Sequence, residues 1–151
     1  MSLSAVSDIL WRERDLLELL VFKLEEEQLI LDAGRHRWLA QAGREVEMVR
    51  EEVRHVEVLR AAEVVALAEE LEISPDVSLR QLAAALEEPW RSIFVDHRRA
   101  LLGSIREIGA LAAVSRDRME EGAAVAREAL GWLEDTDGEA AALGSGEAHT
   151  R

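Results

Sequence analysis

Leucines stand at positions 10, 17, 24 and 31, seven residues apart each time, and Trp38 takes the next step of the same ladder. A strict seven-residue repeat lines side chains along a single seam of an α-helix, and such a seam is stable only when another helix packs against it. Two further stretches of the chain carry the same kind of pattern. The sequence therefore specifies long, interlocking helices. Aromatic residues make up 4% of the chain and tyrosine is absent, while alanine, leucine, glutamate and arginine dominate, as befits an all-α protein.

The 151 residues suffice for one domain with one extended core. Cysteine is absent, which removes disulfides, thiolate zinc sites and thiol catalysis together. No apolar run is long enough to span a bilayer, and the first ten residues lack the basic start and apolar core of a secretory signal. These features predict a cytoplasmic protein. The net charge of −13 repels phosphate backbones and anionic headgroups, so nucleic acid is not an expected partner.

The first helix is expected to begin between Ser4 and Ser7, where a hydroxyl caps free backbone N–H groups, and to run to Asp32. Gly34 is the expected break, because glycine takes the left-handed conformation that ends a helix, and a helix continuous through it is the alternative, since one glycine costs only about 1 kcal/mol there. The second helix carries Leu39, Ala42, Val46, Val49, Val53 and Val56 at alternating steps of three and four. Val64, Leu67 and Leu71 follow after a phase shift near Arg60 and Glu63, and the helix ends before Ile73-Ser74-Pro75. Folded back on the first, it sets Leu24 near Val46, Leu20 near Val49 and Leu17 near Val53. Ser78-Leu79-Arg80-Gln81 has a capping-box pattern and starts a short connector helix ending at about Leu86. Pro89 then suits the first turn of a third long helix reaching Leu133. The expected fold is an antiparallel long-helix hairpin plus a third long helix, an elongated coiled-coil-like three-helix bundle with a connector. One domain spans residues 1–133, its helices at about 5–32, 36–72, 79–86 and 89–133, and 134–151 reads as a disordered acidic tail.

Chemistry-bearing patterns are sparse. Glu52-x-x-His55 matches half of a di-iron bundle motif, but no second Glu-x-x-His accompanies it, and His36, His97 and His149 show no other ligand spacing. There is no nucleophile elbow, no phosphate-cradling glycine loop and no His-Glu-x-x-His. The expectation is a protein that is not an enzyme and uses no cofactor or metal. Two seam features point elsewhere. Glu13 and Glu27 stand where leucines would continue the first seam, and Arg60 is the candidate partner for Glu13 because a buried charge needs pairing. In the third helix the seam tapers from Leu101, Ile105 and Ile108 to small residues. Leu111, Ala112, Ser115, Met119, Gly122, Ala126, Ala129 and Leu133 form a stripe that either packs closely within the bundle or accepts a partner helix, with Met119 an adaptable anchor.

Leu24-Glu25-Glu26-Glu27-Gln28 through Leu31 and Ala33-Gly34 resembles the Leu-Glu-x-Glu-Gln segment and glycine break of the FlgN-type flagellar type III export chaperones. Trp38-Leu39 through Val53 is similar to that family's next helix, and Trp90 with His97-Arg98-Arg99 through Leu102 resembles the start of its last one. The resemblance covers residues 10–133 in order. It implies a cytoplasmic, ATP-independent chaperone of hook-associated flagellar proteins, binding their amphipathic C-terminal helical segments largely through the last long helix. It also implies contact with export apparatus components. Ser115 stands where the family often has asparagine, and the chain continues Thr136-Asp137-Gly138 where the family often has a Tyr-Gly segment. The competing expectation is a generic coiled-coil scaffold or adaptor that self-associates.

Overall fold

The computed structural model describes the backbone of residues 2–114 and 119–134, with side chains for 3–114 and 126–133; the expected acidic tail, residues 135 onward, lies outside the described residues. Among the described residues five helices follow in order: α1 (Ser2–Asp32), α2 (His36–Leu71), α3 (Leu79–Ala84), α4 (Trp90–Val114) and α5 (Met119–Glu134). No strand occurs among the described residues, and the fold class is all-α.

The turn between α1 and α2 falls at Gly34, whose φ of +69° is open to glycine at little steric cost. The Arg35 N–H donates to the Ile30 carbonyl and closes the end of α1. α2 then packs along α1, and the hairpin is tied by pairs far apart in sequence: Lys23 with Glu45, Arg12 with Glu52, and Arg60 with Glu13. On α2 the buried positions run Ala42, Val46, Val49, Val53, Val56, Arg60, Val64 and Leu67. The apparent phase shift in the sequence disappears here, because Arg60 is itself a seam residue. The chain leaves α2 through Glu72, a left-handed cap with φ of 57° whose N–H reaches the Ala68 and Glu69 carbonyls. Ser78 and Gln81 form both halves of a capping box on α3, each side chain accepting the other's backbone N–H.

The third long helix expected over 89–133 is two helices. α5 packs against α4, and the Arg98 Nε donates to the Leu133 carbonyl at 2.9 Å although the two residues are 35 positions apart. A straight helix would separate them by about 50 Å. The apolar stripe of the C-terminal part is therefore buried by folding it back onto α4. The intervening Ser115-Arg116-Asp117-Arg118 lies outside the described residues; it contains neither glycine nor proline to announce a reversal.

One core unites α1, α2, α4 and α5, with α3 contributing Leu79, Leu82 and Ala83. Its α1 members end at Leu20, and between Val21 and Gln41 only Glu27 is buried. The α1–α2 hairpin thus projects past the other helices as a two-helix tip. The leucine ladder records this: Leu10 is 0% exposed, Leu17 3%, Leu31 41% and Trp38 47%. The expected outcome for Leu10→Ala is a loss of about 2–5 kcal/mol in urea denaturation. Leu31→Ala should change stability by less than about 0.5 kcal/mol, since its side chain stays largely in water. Equal losses at both sites would mean that the tip is covered in solution.

Candidate functional site

The eight seam residues expected to bind a partner are brought together in part. Ala112 on α4 and Ala126, Ala129 and Leu133 on α5 are all buried, and Leu111 is half-buried. Ser115 lies outside the described residues, as do the side chains of Met119 and Gly122, which α5 carries. The expected open stripe is closed, because α5 turns its apolar side onto the bundle. Its seat is made by Ala126, Ala129, Leu130 and Leu133, which join Leu101, Leu102, Ile105 and Ile108 of α4 in one cluster.

Three contacts at the C-terminal end define how α5 is held. Arg98 caps the helix through the Leu133 carbonyl, where a cation also suits the helix dipole. The Arg60 guanidinium lies 3.7 Å from the Trp132 ring centroid, a cation–π stack that reaches α5 from α2. Glu128 of α5, in contrast, stands near Glu57 of α2. Burial chiefly, and then Glu128, push the Glu57 carboxyl above its ordinary value. Leu130 and Trp132 were not singled out in the sequence, and Arg98 entered there only through the family resemblance. Leu130 was legible as the position four after Ala126, but the Arg98 and Arg60 contacts exist only once α5 reverses.

Behind α5, Arg60 also donates to the buried carboxyl of Glu13 on α1. Glu13 is 3% exposed, and its second oxygen is buried with no hydrogen-bond partner among the described residues. Burial therefore outweighs Arg60 and pushes the Glu13 carboxyl up to about 7. A second polar cluster joins α1 to α4. His97 is fully buried, with Ser7 Oγ 3.0 Å from Nε2 and Arg14 Nη1 3.2 Å from Nδ1, while Trp11 meets the ring edge-on. Arg14 can only donate, so Nδ1 accepts and Nε2 carries the proton towards Ser7. That polarity is the reverse of the one that activates a serine, and the cluster reads as a clamp between helices. Burial first, then the Arg14 charge, pulls His97 down to about 4. The other histidine motif does not close either. Glu52 and His55 are exposed, Glu52 pairs with Arg12, and no metal-holding group of His, Cys, Asp or Glu occurs among the described residues.

The fold defines an all-α bundle of long helices packed against one another. The family model described as FlgN protein matches residues 1–140, and the chain belongs to that family, the flagellar export chaperones. Comparison with curated proteins and with solved structures returned no match. No described helix is long and apolar enough to cross a membrane.

The two buried titrating groups oppose one another in pH. Between its ordinary value of 4.5 and about 7, Glu13 keeps a proton in the folded chain that the unfolded chain releases. Its contribution is complete below 4.5 and is lost as pH rises to 7. Folded His97 stays unprotonated from its ordinary 6.5 down to about 4, so its contribution is present above 6.5 and lost as pH falls through that range. Urea midpoints measured at pH 4.5, 5.5 and 6.5 should separate them. Relative to the native chain, Glu13→Gln should make stability rise more with pH, and His97→Asn should make it fall. Parallel profiles for all three would remove both groups from the core's proton balance.

Proposed function

We propose that this chain is a cytoplasmic chaperone for hook–filament junction proteins. It holds their amphipathic C-terminal helical segments in soluble form until type III export takes them. The observation that carries this reading is the α4–α5 seam, where Leu101, Ile105 and Ile108 of α4 pack in one core with a helix that approaches through the small residues Ala126 and Ala129. Of the stripe Leu111, Ala112, Ser115, Met119, Gly122, Ala126, Ala129 and Leu133, the part proposed to face the client is its α4 end, Leu111 and Ala112, since Ala126, Ala129 and Leu133 are buried against the bundle. Capture replaces water on the client's apolar face, and release needs no covalent step. An interface of roughly 1,000–1,500 Å² suits such reversible holding. The acidic surface, with a net charge of −13, favours client helices flanked by basic residues. Export apparatus components are the second class of partner.

Exposed Phe22, Leu29, Leu31 and Trp38 on the hairpin tip favour a second reading, in which the chain self-associates as a scaffold. The two readings part in one experiment. Titration calorimetry with the C-terminal helical segment of a hook–filament junction protein should give saturable 1:1 binding to the full chain. Leu111→Glu combined with Ala112→Glu should weaken it by about tenfold or more, with helix content by circular dichroism retained. A salt-insensitive dimer that ignores the segment would support the scaffold. Unchanged affinity in the double variant would move the client surface off the α4 end of the seam.

A further inference from the structure

The α1–α2 hairpin has two long sides, and α4 and α5 occupy one of them. On α1, Ser7 and Arg14 reach His97 of α4; on α2, Glu57 stands near Glu128 of α5. Leu16 lies two residues beyond Arg14 and Leu59 two beyond Glu57, about 200° round each helix, so both point away from α4 and α5. Leu59 is exposed, as are the neighbouring Leu19 and Met48, the latter by 68%. Leu16, Leu19, Met48 and Val49 line a shallow hollow of about 750 Å³ between the two helices. Positions that flank a two-helix seam ordinarily carry charged side chains. Here four of them, Leu16, Leu19, Met48 and Leu59, are large and apolar.

The polar lining gives the hollow its sign. Arg12 crosses it to Glu52 at 3.5 Å, and the next cations are likewise taken, Arg54 by Glu51 at 2.9 Å and Lys23 by Glu45 at 2.9 Å. Exposed Asp8 and Asp15, one turn before Arg12 and Leu19 on α1, extend the acidic rim. A second copy of the chain would bring a net charge of −13 against the same charge. A helix with basic flanks brings the opposite sign.

We propose that this side of the hairpin is a docking groove for a basic amphipathic helix of another protein. The helix lays leucine-sized side chains, spaced three or four residues apart, between α1 and α2 against Leu16, Leu19, Met48 and Leu59. Its lysines or arginines meet Asp8, Asp15 and Glu51. A third helix in that position gives this side of the hairpin the packing that α4 gives the other. The groove is separate from the client surface at the α4 end of the seam and goes beyond the chaperone reading, so one chain can hold two helices at once.

The probe is a fluorescent leucine–lysine peptide of about 18 residues, long enough to be helical, with its leucines on one face. Anisotropy is read against the full chain in about 0.15 M salt, where diffuse attraction is screened. The native chain should bind it saturably, and Leu19→Ser combined with Met48→Ser should weaken binding about tenfold or more. A scrambled peptide of the same composition, and a leucine–glutamate peptide with the same apolar face, should each bind at least about tenfold more weakly. Leu111→Ser, at the client surface, should leave the constant unchanged. A native chain that does not bind the peptide overturns the proposal. Equal affinity for the scrambled peptide reduces the effect to net charge, equal affinity for the glutamate peptide removes the charge preference, and either result overturns it too. So does weaker binding by Leu111→Ser with no change in the double variant, which puts the peptide on the α4 end. Sedimentation of the chain alone is the last arm. A monomer supports the proposal, whereas a dimer that the double variant dissociates assigns the groove to a second copy and overturns it. Both replaced side chains are exposed, so the fold should hold. If circular dichroism shows otherwise, Met48→Ser alone should weaken binding about threefold, and an unchanged constant overturns the proposal. The client segment takes no part in this test, so the groove and the chaperone reading fail independently.

Discussion

Arg60 is the joint on which the bundle turns. It occupies a seam position of α2 where a valine or leucine would otherwise stand, donates to Glu13 across the hairpin, and presents its guanidinium face to Trp132 of α5. A ladder of leucines against a ladder of valines can slide by a whole heptad and still bury apolar surface. A buried charge cannot slide, because leaving either partner alone costs several kcal/mol. One polar pair inside an apolar seam therefore selects one register, as an isolated polar residue does in coiled coils. The pair need not add net stability to do this, and the raised Glu13 carboxyl shows that burial is the stronger influence on that group.

Register fixed at Glu13–Arg60 determines what else can meet. With α1 and α2 locked, α4 is placed on α1 by a second polar clamp, where Ser7 and Arg14 hold His97 from opposite sides of the ring. Both clamps lie in the base of the hairpin, and the base is where core burial is concentrated. Beyond Leu20 the hairpin continues with only its own two helices, and exposure climbs along the same leucine ladder that is fully buried at Leu10. A heptad repeat says that a seam exists. It does not say how many helices share it, and that number falls from the base to the tip.

This division explains what the sequence could and could not convey. Gly34, the Ser78–Gln81 capping box and the Glu13–Arg60 pairing rest on local chemistry or on the register of one hairpin, and each is visible in residue type and spacing. The reversal between α4 and α5 is not. Leu101 through Leu133 keeps an unbroken alternation of four and three, which is the pattern of one long helix and also of two helices sharing a core. Ser115-Arg116-Asp117-Arg118 offers no glycine or proline, so only tertiary burial distinguishes the two arrangements. His97 was opaque for a related reason: its partners Ser7 and Arg14 lie about ninety positions away in the chain, and only the packing of α4 on α1 reveals them.

The same ambiguity has a physical consequence for a protein that holds helices. A stripe able to pack on a client must be sufficiently apolar to be unsafe in water when no client is present. Leaving it open would invite aggregation, and covering it with a large, tightly packed element would exclude the client. α5, held through Ala126, Ala129, Leu130 and Leu133 with Trp132 packed beside them, capped by Arg98 and stacked on Arg60, covers that stripe in the structure. Because Arg60 contacts both Glu13 and Trp132, the register lock of the hairpin and the retention of α5 draw on one side chain.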